Sequence, residues 1–364
     1  MITLEVSGIQ YTDFEGASVS FSLDTFAREF SFAATASEGK TLPFKGGESC
    51  KIFVDEIQVL NGFIDIVSGG YDANSHSIQI LGRGRVADIS DSTLDSFELA
   101  SEISLENIIK TVITQLSLDI KVINNAGDIP IFNKSEDEIG VSVGEGGFEF
   151  IENLARKRQV ILNEDGNGDI VINRASTQKL KQKLQNIRGS NDNNVKTASF
   201  DYDLTGIYKD YIVKSQQNTS ALSFSGVSDL ASTTDQSGRS TSTKSRAGRQ
   251  LAFIAEKASG KDQLDARASW ESNIRRARSR EYLAVVVGHK TAFDEIWEFN
   301  KLISVNDEFA DIKETMLINR VTFITSASDG NITELVLIDK DAYTPNPADS
   351  LSDDVGASFV FGGG

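Results

Sequence analysis

Apolar and polar positions alternate with a period of two through the first ninety residues. Val19, Phe21 and Leu23 alternate with polar neighbours, as do Phe30, Phe32 and Ala34. The pairs Ile52 and Val54, Ile57 and Val59, Ile64 and Ile66, and Ile78 and Ile80 repeat the spacing. This is the pattern of strands with one apolar face, as in a half-buried antiparallel sheet. Asn61-Gly62 predicts a tight turn, because both residues tolerate positive φ. Many short strands with little helix predict a small barrel or sandwich.

The period then changes. Leu105, Ile108, Ile109, Val112, Ile113 and Leu116 form one apolar helical stripe, with Ser104 as its N-cap and Glu106 in its first turn. A second short helix follows Gly146-Gly147, with Phe148, Ile151, Leu154 and Ala155 on one face. Two strands, QVILNE and DIVINR, come next around a Gly-rich turn. Strands return at Val195 to Tyr202 and Ile207 to Ser215. Residues 216–249 are rich in Ser, Thr, Gln, Asn and Gly and predict a long mobile loop, since they have little to bury. Residues 262–279 predict a polar helix, residues 281–339 strands, and residues 345–364 an extended tail.

The expected fold class is α+β, mostly β: two similar small β-barrel domains flanking an α/β domain. The expected boundaries are 1–90 for the first barrel, 91–190 for the α/β domain, 191–344 for the second barrel and 345–364 for the tail. The second barrel would carry the loop and the polar helix. A weak internal repeat agrees. KIFVDE leads to LNGFIDIVSGGYDANSHSIQILGR, and LISVNDE leads to LINRVTFITSASDGNITELVLID. Two hairpins can look alike without being related, so the repeat fits either ordinary antiparallel pairing or two related barrels.

Length and composition narrow the function. At 364 residues the chain holds two or three domains. Its 36 basic and 53 acidic residues give −17, which disfavours a nucleic-acid coat or an anionic membrane surface. The single Cys50 makes no intrachain disulfide, so no oxidising compartment is required. MITLEVSG has neither the basic nor the apolar region of a signal peptide, and Leu283 to Val287 is too short an apolar run to span a bilayer. Only His76 and His289 are available, which removes most zinc and Ser-His-Asp designs.

No motif makes an active site. Asn163, Asp165, Asn167, Gly168 and Asp169 imitate the start of a calcium loop, but Arg174 stands where a bidentate acid is needed. A β-hairpin turn is expected there. Gly82-Arg83-Gly84-Arg85 lacks the third glycine and following helix of a phosphate loop, and no Lys-Ser/Thr pair follows Gly144, Gly146 and Gly147. The carboxylates Asp55 with Glu56, Asp307 with Glu308, and Glu136, Asp137 and Glu138 read as solvated surface. Both histidines read as ordinary surface residues. No metal or cofactor is expected. Arg267, Arg275, Arg276, Arg278 and Arg280 gather at or near the C-terminal half of the polar helix. They either complement the helix dipole in solvent or face an acidic neighbour at a subunit interface.

The order of these pieces resembles the baseplate hub proteins of contractile-tailed phages, in particular the Mu-like branch. These are related to the T4-like hub and to the hubs of other injection machines. Gly82-Arg83 with Ala87-Asp88, the segment Phe148 to Arg158, and Trp270 to Val287 carry the likeness, which extends over residues 1–343. It implies a structural protein of the virion, made in the host bacterial cytoplasm, with no chemistry or membrane insertion of its own. It also implies a homotrimer whose two barrels per chain make a pseudo-sixfold ring between a sixfold tail tube and a threefold central spike. The tube protein, the spike and other baseplate proteins would be its partners, with DNA passing through the channel. The alternatives are a cell-wall glycan hydrolase of the tail tip, which would need two carboxylates across a sugar, and a β-rich carbohydrate-binding adhesin. For the adhesin only Trp270 and Trp297 could serve as stacking platforms.

Overall fold

The computed structural model describes residues 1–35, 44–71, 76–134, 139–215, 230–234, 249–255 and 261–343. The first β region contains β1 (Ile2–Val6), β2 (Ile9–Tyr11), β3 (Gly16–Ser22), β4 (Glu29–Thr35), β5 (Ser49–Val54), β6 (Ile57–Tyr71) and β7 (His76–Gly84). The α/β part follows with α1 (Ala87–Asp91), β8 (Glu102–Ile103), α2 (Leu105–Gln115), β9 (Val122–Asn124), β10 (Phe132–Asn133), α3 (Gly147–Lys157), β11 (Ile161–Glu164) and β12 (Ile170–Asn173). The last region has β13 (Lys179–Asn186), β14 (Val195–Tyr202), β15 (Asp210–Ser215), β16 (Leu230–Thr234), β17 (Gln250–Ala255), α4 (Lys261–Arg278), β18 (Arg280–Val287), β19 (Leu302–Asp307), β20 (Ile312–Ser326) and β21 (Gly330–Asp339).

The chain is mostly β, as the periodicity predicts, with 48% strand and 14% helix among the described residues. The expected pair of separate barrels is not what the strands form. Among the described residues no closed barrel is found, and strands of both regions join one 13-stranded sheet through β3 and β20. Ala17, Val19 and Phe21 of β3 share one apolar core with Val321 and Phe323 of β20. The sheet stays continuous because the alternating strands bury the same inward face on both sides of the junction.

Within that sheet one strand order occurs twice. The first region runs β1-β5-β6-β7-β4-β3. The last region runs β13-β19-β20-β21-β18-β14. The chain visits the positions in the same sequence both times. The long central strands agree in detail. Both β6 and β20 have 15 residues. Ile64 exchanges hydrogen bonds with Gly47 (2.7 Å) and Glu48 (2.9 Å), and Ile318 does so with Asn300 (2.8 Å) and Lys301 (2.9 Å). Each isoleucine is followed by a register shift, between Ile64 and Ile66 and between Ile318 and Arg320. The outer strand differs: β13 is parallel to β19, whereas β1 is antiparallel to β5. The last region also carries an insertion, β15 to α4, between β14 and β18.

Two local expectations are corrected. Asn61-Gly62 is not a turn but lies inside β6. Gly62 is there for close packing: a Cβ would fall 1.9 Å from the Arg83 carbonyl oxygen. The turn is at Asp55 and Glu56, both with positive φ. The expected loop 216–249 lies mostly outside the described residues, but Leu230–Thr234 within it forms β16, paired antiparallel with β15. Backbone pairing there overrides a polar composition. The tail 345–364 lies outside the described residues.

The middle part has its own core. Leu105, Ile108, Ile109, Val112 and Ile113 of α2 are buried, and Ser104 Oγ accepts the Asn107 N–H (3.3 Å) as the predicted cap. α3 starts at Gly147, where a Cβ would meet the Ile89 carbonyl of α1 at 2.6 Å. β11 and β12 form the hairpin expected from QVILNE and DIVINR.

Candidate assembly interface

The arginines of the polar helix are largely engaged within the chain. Glu271 holds Arg275 (2.6 Å) and Arg267 (3.1 Å), each one helical turn away. Arg267 lies over Phe253 of β17 and Arg275 over Tyr208. Burial pulls the Arg267 guanidinium below its ordinary pKa, against the pull of Glu271. Arg280, at the start of β18, pairs with Glu314 of β20 (2.7 Å) and lies over Tyr202. Arg276 differs, because its Nε is buried without a hydrogen-bond partner. Arg278 ends α4, and its side chain lies outside the described residues. The helix packs on β15 and β16 through Leu264 and Ala268, beside Tyr211 and Val213. The five arginines therefore do not form one free patch.

An aromatic patch lies elsewhere. β14 is an edge of the large sheet and is exposed from Lys196 to Tyr202. Phe200 (41% exposed) and Tyr202 (43%) pack against each other, and Phe309 (86%) lies 6.2 Å from Phe200. A fixed turn presents Phe309. Asp307 Oδ1 accepts the N–H groups of Phe309 (2.9 Å) and Ala310 (3.0 Å), while Oδ2 accepts the Tyr282 hydroxyl (2.6 Å) and Asn186 Nδ2 (3.2 Å). Burial raises the Asp307 carboxyl, but these donors outweigh it and leave the group below its ordinary range. Burial and the Asp307 charge push the Tyr282 phenol well up. An exposed aromatic cluster on a rigid support suits a protein contact.

The two glycine-rich motifs meet each other. The turn after β11 docks on β6 and β7: Gln58 Nε2 donates to the Gly166 carbonyl (2.8 Å) and Asn61 Nδ2 to the Asn167 carbonyl (2.9 Å). Arg85 pairs with Asp169 (3.2 Å), whose Oδ1 also accepts the Lys121 N–H (3.0 Å). Asp165 accepts from Asn167 and Asp169 backbone groups, which closes the turn. The calcium-like residues thus form the expected hairpin turn and serve as a dock.

Beneath that turn lies Arg28, half-buried. It donates Nε to the Glu164 carbonyl (2.9 Å), Nη1 to the Val59 carbonyl (2.6 Å) and its backbone N–H to Glu164 Oε2 (2.8 Å), with its guanidinium over Phe21. Burial pushes the Glu164 carboxyl up to about 7, although the Arg28 and Val86 N–H groups and the Arg28 charge pull it down. Gly84 is required above it, since a Cβ would stand 1.8 Å from Glu164 Oε2. Sequence reading missed Arg28 and Glu164. A lone arginine in DTFAREF gives no signal, because its partner is 136 residues away.

The histidine expectation fails for His289. It is 2% exposed, with Nε2 3.1 Å from the Ile324 carbonyl and Nδ1 facing Asp55 and the N-terminal amine. Burial lowers its pKa. The His76 side chain lies outside the described residues. Asp55 is spent on the N-terminal amine and Asp307 on Tyr282. Glu136, Asp137 and Glu138 lie outside the described residues. Trp297 is buried in the main core and Trp270 against Tyr343, so neither is presented as a stacking platform. Among the described residues no group of three His, Cys, Asp or Glu side chains could hold a metal ion, and no helix is long and apolar enough to cross a membrane. An open groove of about 400 Å³ lies between the segment that follows β12 and the one that precedes β19, lined mostly by polar residues that include Arg174 and Asn300.

Comparison with known proteins agrees with this architecture. Residues 1–84 match the family described as Mu phage baseplate assembly protein GpP-like, N-terminal. The chain is 24% identical over 352 residues to the baseplate hub protein gp44 of Escherichia phage Mu, covering 94% of this chain and 88% of that protein. Its fold is similar to the 43 kDa tail protein of prophage MuSo2 from Shewanella oneidensis, with a TM-score of 0.78, 24% identity, and coverage of 94% and 98% of the two chains. The tail protein from Neisseria meningitidis MC58 has the same TM-score and coverage at 18% identity. Over nearly its whole length this chain resembles the baseplate hub proteins of Mu-like phages and is hub-like in sequence and fold.

Proposed function

We propose that the protein is the structural baseplate hub of a contractile tail, a homotrimer that joins a sixfold tail tube to a threefold spike and lets DNA pass. The observation that carries this reading is the strand order that occurs twice in one sheet. Three chains with two equivalent β units each supply six similar positions around an axis while keeping threefold symmetry elsewhere. The β units are those that run from β1 to β7 and from β13 to β21, so the expected boundary at 190 moves to before β13, and the α/β domain between them sits outside the ring, held by the Arg28–Glu164 latch. The net charge of −17 suits a channel that passes DNA without gripping it, because like charge repels phosphate. The similar proteins are tail and baseplate proteins, and the role is structural rather than catalytic.

Mass in solution tests the reading. The full chain, alone and mixed with a candidate spike protein, should give a mass of three copies and bind the spike trimer one to one. Peptidoglycan zymography should show no clearing. A monomer at every concentration that leaves the spike unbound would overturn the hub reading.

A further inference from the structure

The repeat relates one strand pair that exists to one that is incomplete. Within the chain, β3 pairs antiparallel with the C-terminal half of β20. Val321 faces Phe21, Thr322 faces Ser20, Phe323 faces Val19 and Thr325 faces Ala17. Ser20 Oγ and Thr322 Oγ1 are 3.0 Å apart, and the Phe21 and Phe323 rings are 5.8 Å apart.

The equivalent residues follow from registers on the page. Ile64 faces Gly82, Gly82 faces Phe30, and Phe30 faces Val19. Ile318 faces Leu337, Leu337 faces Tyr282, and Tyr282 faces Phe200. Ile64 corresponds to Ile318 by its hydrogen bonds and following register shift. Val19 therefore corresponds to Phe200, β3 to β14, and the C-terminal half of β20 to residues 66–71 of β6. These two segments are the incomplete ones. Among the described residues β14 pairs only with β18, and residues 66–71 pair only with β7. Ile66 is 52% exposed and Tyr71 84%. The two segments belong to opposite regions of the sheet, as β3 and β20 do.

We propose that β14 of one copy pairs antiparallel with residues 66–71 of the next copy, in the register set by β3 and β20. The inference rests on the homotrimer reading and adds the contact that closes its ring. Phe200 then lies opposite Gly69, Asp201 opposite Ser68, Tyr202 opposite Val67, and Ala198 opposite Tyr71. Side-chain sizes support this register. In the chain's own pair a phenylalanine of β20 faces Val19 of β3; between copies the phenylalanine moves to β14 and faces a glycine. One ring fills the same place in both pairs. Gly69 and Gly70 otherwise weaken a strand interior, where glycine commonly marks the close approach of another group. Phe309, beside Phe200, extends the contact. The two segments are different patches, so the association is head-to-tail and forms a ring if its rotation closes. It also covers two sheet edges that would otherwise invite uncontrolled pairing.

Cysteine trapping tests the register. The double variant Ser68→Cys with Asp201→Cys replaces the counterparts of Ser20 and Thr322, the in-chain pair whose side chains touch. Native Cys50 is buried with its thiol pushed up to about 12, so it does not compete. Mild oxidation should give disulfide-linked species up to three copies on a non-reducing gel. Ser68→Cys with Lys196→Cys, out of register, should give none. Phe200→Asp should weaken assembly by about tenfold or more and leave the circular dichroism unchanged. A trimer by mass that fails to cross-link, or cross-links equally in the control, overturns the pairing and leaves the trimer standing. A monomer by mass overturns both.

Discussion

Replacing Glu164 with Gln isolates the electrostatic cost of the latch between the β sheet and the α/β part. The carboxyl titrates near 4.5 when unperturbed and at about 7 in the fold, with burial as the chief cause. Its folded value is the higher one, so folding takes up a proton between these limits. The stabilising contribution is complete below pH 4.5 and is lost as pH rises through 7. At roughly 1.4 kcal/mol for each tenfold change in proton affinity, the loss is about 3 kcal/mol. Glutamine keeps one oxygen acceptor, for the Arg28 N–H, turns a donor amide toward the Val86 N–H at a cost that does not vary with pH, and carries no titrating proton. Urea unfolding of both proteins from pH 4.5 to 8 measures the effect, and the difference between them cancels every other titrating group. The glutamine variant should gain on the native protein by up to about 3 kcal/mol over that range. A gap that stays constant with pH would refute the reasoning. A native protein that gains instead would show that the Arg28 charge outweighs burial in setting the Glu164 pKa.

Gly84→Ala should destabilise the same latch by about 1–3 kcal/mol, because the new methyl overpacks against the Glu164 carboxylate and pushes it off the Arg28 and Val86 N–H groups; calorimetry checks it. Tyr282→Phe removes the buried hydroxyl that donates to Asp307 and should cost about 1–3 kcal/mol in urea unfolding. Asp307 titrates below its ordinary range, so its contribution is present at neutral pH and lost on acidification; Asp307→Asn should flatten that acid limb of the stability curve. Arg275→Glu combined with Arg276→Glu should lower the melting temperature of the monomer as well as weaken assembly. Arg275 is tied to Glu271 inside the chain, and a variant with an unchanged melting temperature would show that this pair does not support the fold.

Elements with their own periodicity were legible in sequence. Ser104 and the stripe from Leu105 mark α2, and the alternation at Val19, Phe21 and Phe30, Phe32 marks β3 and β4. Asn61-Gly62 misleads because glycine serves close packing as well as turns, and only the position of the Arg83 carbonyl decides between them. The repeat shows weakly in sequence, since β6 and β20 share pattern and length but few residues, whereas strand order and hydrogen bonds make it clear. The arginine cluster was legible as a cluster but not as a set of bonds, because Phe253, Tyr208 and Glu314 reach it through tertiary packing. The aromatic patch joins Phe200 with Phe309, two residues 109 positions apart that only the fold brings together.

The position of β20 also bears on how load would cross the molecule. Its N-terminal half is bonded to β19, its C-terminal half to β3, and β21 runs along most of its other side. A pull along this strand therefore passes from one β region to the other as shear over many backbone hydrogen bonds in parallel. They must fail together rather than peel one at a time. No flexible linker lies on that path, so a sudden displacement at one region reaches the other with little delay or lost motion. In the proposed hub, stiffness along this line would reside in a single 15-residue strand.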